Sequence, residues 1–161
     1  MEAAMTREAM RSLPLFQGLA RDDVEVLARS FRRESLPAGA AIFGQGDRAE
    51  KLYVLISGRV AIRFKPYDGD ILPVTEVGPG GVFGWSAALN RPCYTSCAVA
   101  LGDCEAISIS GEELRRLCKA HPRTGVVILE RLAGVIAERV NSTHAKVVDM
   151  LQHGMQSVTN R

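Results

Sequence analysis

The chain has 161 residues, 47% of them hydrophobic and 24% charged, with a formal net charge of +2. That length suits one domain with a sizeable core, and so small a charge does not by itself argue for nucleic acid or an anionic membrane as partner. No apolar run reaches membrane-spanning length, and the charged start "MEAAMTREAMRSLP" has no signal-peptide core, so the cytoplasm is the expected compartment.

Residues 1–12 are rich in Ala, Met, Glu and Arg and predict a helix. "SLPLFQGLARDDVEVLARSFRRESL" predicts a short turn and then one amphipathic helix. Val24, Leu27, Ala28 and Phe31 recur at helical spacing, and Asp22 and Asp23 sit where the helix dipole favours them. From Pro37 the texture changes to short β-rich runs punctuated by Gly, Pro or Asp. Tyr53 and Leu55, then Val60, Ile62 and Phe64, alternate as half-buried strands do. "SGR" predicts a tight hairpin between them, and "KPYDGD" predicts another with Asp-Gly as its turn. Many short strands at turn-punctuated spacing suggest a sandwich or a jelly-roll barrel.

After Ser110 the period is helical again. Ser110 is placed to cap "GEELRRLCKAH", and Pro122 follows its end. A long helix then runs from about Thr124 to beyond Met150. Leu129, Leu132, Ile136, Val140, Thr143, Val147 and Leu151 form one stripe along it, longer than a small barrel can cover. A homodimer through this helix is the expected arrangement, with Leu132, Ile136, Val140, Val147 and Leu151 in the seam. The alternative is a helix folded back on its own barrel. The expected architecture is α+β: N-terminal helices over 1–36, a β-roll over 37–110 and C-terminal helices over 111–161.

Enzyme chemistry finds no support in the residues. The cysteines at 93, 97, 104 and 118 fit no metal spacing and read as small reduced core residues. His121, His144 and His153 all fall in the helical C-terminal third, so a cupin-type metal barrel lacks ligands. "GQGDRAEK" lacks the Gly-Lys-Ser/Thr ending of a nucleotide-phosphate loop, and no catalytic triad is legible. No catalytic residue and no metal site are expected.

Three stretches together resemble one family. "PLFQGLARDDVEVLA", "LPAGAAIFGQGDRAEKLYVLISGRVAI" and "VGPGGVFGWSAAL" are similar to the lead-in, the opening strands and the phosphate-binding cassette of cyclic nucleotide-binding domains. The resemblance covers roughly residues 13–150. It implies a ligand site at Gly81, Phe83, Gly84, Trp85, Ser86, Ala87, Ala88 and Leu89, followed by Tyr94, Thr95 and Ser96. If "WSAALN" is one helical turn, its first N–H groups are unpaired and suited to an anion. The ligand expected from the resemblance is a cyclic nucleotide or another small anion.

Two side chains depart from the family's pattern. The cassette normally reads Gly-Glu, the glutamate accepting from the ribose hydroxyl; here it reads Gly84-Trp85. The family also carries an arginine that pairs with the phosphate, and Tyr94 stands there, or Cys93 with a shorter loop. Losing both is expected to weaken cyclic-nucleotide binding on the order of a hundredfold. Arg91 is the nearby cation, in a loop expected to face solvent. Trp85 reads as a stacking surface for a ring or as a plug filling the pocket. The hydroxyls of Tyr94, Thr95 and Ser96 read either as ligand contacts or as ordinary strand residues.

"AERVNSTHAKV" resembles the segment of catabolite-activator-type regulators in which a threonine reaches the adenine, and Thr143 holds that position. Thr143 reads equally as a seam residue. Regulators of this type continue into a helix-turn-helix; none is legible before Arg161, so no specific DNA binding by this chain is expected. The reading is a non-catalytic ligand-sensing regulatory domain. The alternatives are a ligand-free dimerisation module and the sensor fragment of a transcription regulator.

Overall fold

The computed structural model describes residues 2–65 and 72–159. Helix α1 (Glu2–Arg11) and helix α2 (Arg21–Ser30) flank a single 3-10 turn at Pro14–Phe16. Strands β1 (Arg32–Leu36), β2 (Ala41–Phe43), β3 (Lys51–Ser57), β4 (Val60–Phe64), β5 (Leu72–Val77), β6 (Val82–Phe83), β7 (Cys97–Ala100) and β8 (Cys104–Ser110) follow. Helices α3 (Gly111–Ala120) and α4 (Pro122–Thr159) complete the order. The strands form two antiparallel sheets, ordered β1-β8-β3-β6 and β2-β7-β4-β5. This is the α+β roll that the sequence implies.

The first sheet is buried on both faces, and this explains the pattern of β3. Leu52, Val54, Val82, Ile107 and Ile109 turn toward the helices, against Met10, Phe16, Leu27, Phe31, Leu117 and Ile128. Tyr53, Leu55, Phe83 and Ala106 turn into the roll, against Phe43, Val60, Ile62, Val77 and Ala98 of the second sheet. A strand covered on both sides needs no polar alternation. Tyr53 and Leu55 do share a face, as predicted, but Leu52 and Val54 between them are fully buried too.

Several boundaries differ from the sequence reading. Residues 32–36, assigned to the helical N-terminal part, form β1 and pair with β8 from Arg32↔Ser108 to Leu36↔Cys104. Their charged side chains suit an edge strand. "SGR" is a tight turn but not a hairpin: β3 and β4 lie in different sheets, so the chain crosses from one to the other there. Gly58 at this corner has φ 95°, and a Cβ on it would lie 2.6 Å from Cys104 Sγ, which suits glycine alone. β4 does pair with β5, as the second predicted hairpin requires; the Asp-Gly turn itself lies outside the described residues.

The helical layer is tied to the sheet by polar contacts as well as by its core. Ser110 caps α3 as predicted, its hydroxyl accepting from the Glu113 N–H at 3.0 Å. Thr124 of α4 donates to the Asp23 carboxylate of α2 at 2.6 Å. Helix α4 has 38 residues, a length of about 57 Å. Its first half is anchored by Thr124, Ile128 and Leu132, all buried. Leu132 is therefore a correction: expected in a dimer seam, it is one turn on from Ile128 and lies in the chain's own core. Ile136 is half-buried, and Val140, Val147 and Leu151 are exposed.

The cysteines are only partly the core residues expected. All four are free; Cys104 is buried, Cys97 and Cys118 are intermediate, and Cys93 is exposed because it sits ahead of β7. Among the described residues no cluster of His, Cys, Asp or Glu could hold a metal ion, and no helix is long and apolar enough to cross a membrane.

Candidate functional site

The site is built around the turn that follows β6. Gly84 adopts φ 74°, ψ 26°, a left-handed conformation that other residues resist. A Cβ there would lie 2.8 Å from the Lys51 carbonyl oxygen and 3.3 Å from the rings of Phe43 and Tyr53. Trp85–Ala87 then form one 3-10 turn, closed by the Ala88 N–H donating to the Trp85 carbonyl at 2.9 Å. The predicted helical turn is present, but its three residues align few peptide dipoles. The loop after it turns at Asn90, whose φ is 56°.

Tyr94 is a structural post. It is buried, its ring stacks on Phe43 with centroids 3.7 Å apart, and its hydroxyl is used twice. It donates to the Lys51 carbonyl at 2.6 Å and accepts from the Lys51 N–H at 3.0 Å. Burial raises the phenol's pKa from its ordinary value, although the backbone bonds around Lys51 oppose this. The hydroxyl is thus spent on the start of β3 and not offered to a ligand.

Between the roll and α4 lies a cavity of about 580 Å³. Gly84, Trp85 and Ser86 of the turn line it, as do Phe43, Phe83 and Tyr94 from the roll and Thr95 and Ser96 beside β7. Ile62, Phe64 and Thr75 add a wall, and Arg139, Val140, His144 and Val147 close it from α4. Neither Thr95 nor Ser96 has its hydroxyl engaged by another described residue. Trp85 is half-buried, packed on one side against the helical core, and leaves the cavity open.

Arg139 is a cavity-lining residue that sequence reasoning missed. Its Nη2 donates to the Val82 carbonyl at 2.9 Å, and its guanidinium carbon is 5.3 Å from the centre of the Trp85 ring, within cation–π range. Desolvation lowers its pKa from the ordinary arginine value, yet a guanidinium stays charged. A signal existed: Arg139 is one helical turn before Thr143, so it shares the face that the resemblance assigns to the ligand. Arg91, the cation weighed from sequence, is exposed and away from the cavity.

The remaining expected residues divide. Gly81 does not line the cavity, and a Cβ on it would collide with Val77. Ala87 is buried, Ala88 packs on the helical core, and Leu89 is 53% exposed; none lines the cavity. Val140 and Val147, expected in the seam, line the cavity. Thr143 belongs to α4, and its side chain lies outside the described residues.

The model of the family described as "Cyclic nucleotide-binding domain" matches residues 33–121, more than half of the chain. The chain belongs to the cyclic nucleotide-binding domain family. Among related proteins, the cyclic AMP receptor protein of Thermus thermophilus is 31% identical over 131 residues, 81% of this chain and 59% of that protein. A CRP-like cAMP-activated global transcriptional regulator of Mycobacterium tuberculosis is 27% identical over 144 residues, 89% of this chain and 62% of that protein. The chain thus spans about three fifths of each of these relatives. A cyclic nucleotide-binding domain from Methylobacillus flagellatus shares the fold, with a TM-score of 0.81, 18% identity, and coverage of 92% of this chain and 83% of that one. Among the described lining residues, the one arginine of the cavity, Arg139, comes from α4.

Proposed function

We propose that this cyclic nucleotide-binding domain is a non-catalytic, cytoplasmic ligand sensor whose ligand is not an ordinary cyclic nucleotide. One observation carries the reading. A cavity of about 580 Å³ is walled on one side by the cassette turn and on the other by α4, so whatever fills it touches both. A ligand shifts the helix only through different affinities for its two positions, and a cavity shared by roll and helix supplies such a difference. The altered specificity follows from Trp85 in place of a carboxylate and from the Tyr94 hydroxyl held by Lys51. Titration calorimetry with cAMP and with cGMP is expected to give no saturable binding in the micromolar range. Micromolar binding of either nucleotide overturns this reading.

The output is proposed to pass through a homodimer. Beyond Val140 the described part of α4 is exposed, and Val147, Met150 and Leu151 are 49%, 68% and 64% accessible. An apolar stripe of this kind needs a cover, and a second copy of the same helix supplies a complementary one. Native mass spectrometry is expected to show twice the chain mass, shifted toward monomer by Leu151→Glu. A wild-type chain that stays monomeric at every concentration removes this part of the proposal.

A further inference from the structure

Granted the cavity as a sensor site, its lining narrows the class of ligand, and the residue that does so is Ser86. Ser86, Thr95 and Ser96 line the cavity with hydroxyls that no other described residue engages. Thr95 is exposed and Ser96 half-buried, so water serves them. Ser86 differs: it is only 6% accessible, held in the 3-10 turn behind Gly84. Its hydroxyl is not sealed in protein. Among the described residues, the side-chain polar atoms both sealed and unpaired are Arg7 Nε and Glu34 Oε2. The Ser86 hydroxyl therefore meets open space, and the space that Ser86 borders is the cavity. A buried hydroxyl without a partner costs free energy, and an oxygen on a bound molecule removes that cost.

The other walls decide what that oxygen is attached to. Phe43, Phe83 and Trp85 on one side and Val140 and Val147 on the other are aromatic or aliphatic. A volume of about 580 Å³ is within the range that holds a small organic molecule. No described lining residue is a carboxylate that could meet a cation. Arg139 is already engaged, its Nη2 on the Val82 carbonyl and its guanidinium over the Trp85 ring, so it belongs to the wall. His144, the other basic lining residue, is exposed to solvent. A charged molecule entering here loses its hydration for little return. A sugar brings several hydroxyls where one buried partner is on offer, and the rest go unpaired. We propose that the cavity takes a neutral, ring-bearing, largely apolar molecule with one hydroxyl or carbonyl oxygen, which Ser86 pairs while Val140 and Val147 of α4 cover the rings. A serine hydroxyl both donates and accepts, so it serves either oxygen.

The test uses the full chain and its one tryptophan, whose indole N–H gives a single resolved nitrogen-15 NMR signal. 1-Naphthylmethanol, 1-methylnaphthalene and 1-naphthoate are titrated in parallel; they share the rings and differ in one group. The alcohol is expected to move the Trp85 signal saturably and to bind at least about tenfold more tightly than the acid. Ser86→Ala should lower the affinity ratio of alcohol to hydrocarbon by roughly three- to tenfold, the worth of one hydrogen bond, and leave the hydrocarbon bound. The alcohol–acid comparison on the wild-type chain does not depend on any variant folding. No saturable binding of the alcohol, or an acid that binds as tightly, overturns the ligand class. An unchanged alcohol-to-hydrocarbon ratio in a folded Ser86→Ala chain overturns the role of Ser86. The cyclic-nucleotide titrations separate this failure from that of the sensor reading. If the alcohol fails and cAMP binds, both fall; if all fail, only the ligand class is lost.

Discussion

Gly84→Ala is expected to lower stability by roughly 3 kcal/mol or more. Two penalties combine. A left-handed conformation costs a non-glycine residue about 1–2 kcal/mol, and Gly84 has φ 74°. The new Cβ would also lie 2.8 Å from the Lys51 carbonyl oxygen, which is backbone and cannot swing away. Phe43 and Tyr53, each 3.3 Å from the same point, are held in the aromatic stack of the roll. For a chain of this size the loss corresponds to a fall in Tm of roughly 6–12 °C. Gly39 is the control: its φ is 79° but nothing lies within 4 Å of an added Cβ, so Gly39→Ala should carry the conformational penalty alone. Calorimetric melts of the two variants decide the matter. Equal shifts would show that the turn yields to the methyl group.

Tyr94→Ala should be comparably severe, about 3–5 kcal/mol, the range for removing a large buried ring. Tyr94→Phe isolates the hydroxyl. It keeps the 3.7 Å stacking on Phe43 but strands the Lys51 N–H and carbonyl, an expected loss of about 1–3 kcal/mol. Urea unfolding of wild type, Phe and Ala variants should give an ordered series. A Phe variant as stable as wild type would return the hydroxyl to the cavity as a free group. Tyr94 thus belongs to the stability of the roll more than to ligand chemistry, and restoring an arginine there would put a charge into an aromatic stack.

The fold was legible because its signals are local. Helical spacing at Val24, Leu27 and Ala28, the capping geometry of Ser110 and the glycine-punctuated strands each depend on neighbouring residues, and each appears in the structure. The cassette turn at Gly84 was legible for the same reason. Sheet membership was not, because whether β3 and β4 pair or part company depends on strands far along the chain. Leu132 illustrates a second limit: periodicity marks a helix's apolar stripe but not which partner covers each part of it. Arg139 illustrates a third. It joins Val82 across a separation of 57 residues, and no short window holds both. Only the helical step back from Thr143 pointed to it.

The layer that covers the first sheet is assembled from both ends of the chain. Thr124 meets Asp23 over a separation of 101 residues, and Arg131 reaches the Leu15 carbonyl over one of 116. On a ribosome, the first two helices emerge long before the helix that completes their packing. Until α4 follows, the outer faces of Leu52, Val54, Ile107 and Ile109 have only half a cover. Contacts so distant in sequence close late and slowly, and apolar surface exposed in the interval invites association with other chains. The first half of α4 is therefore the last stone of the folding process, in the same element whose second half meets the cavity.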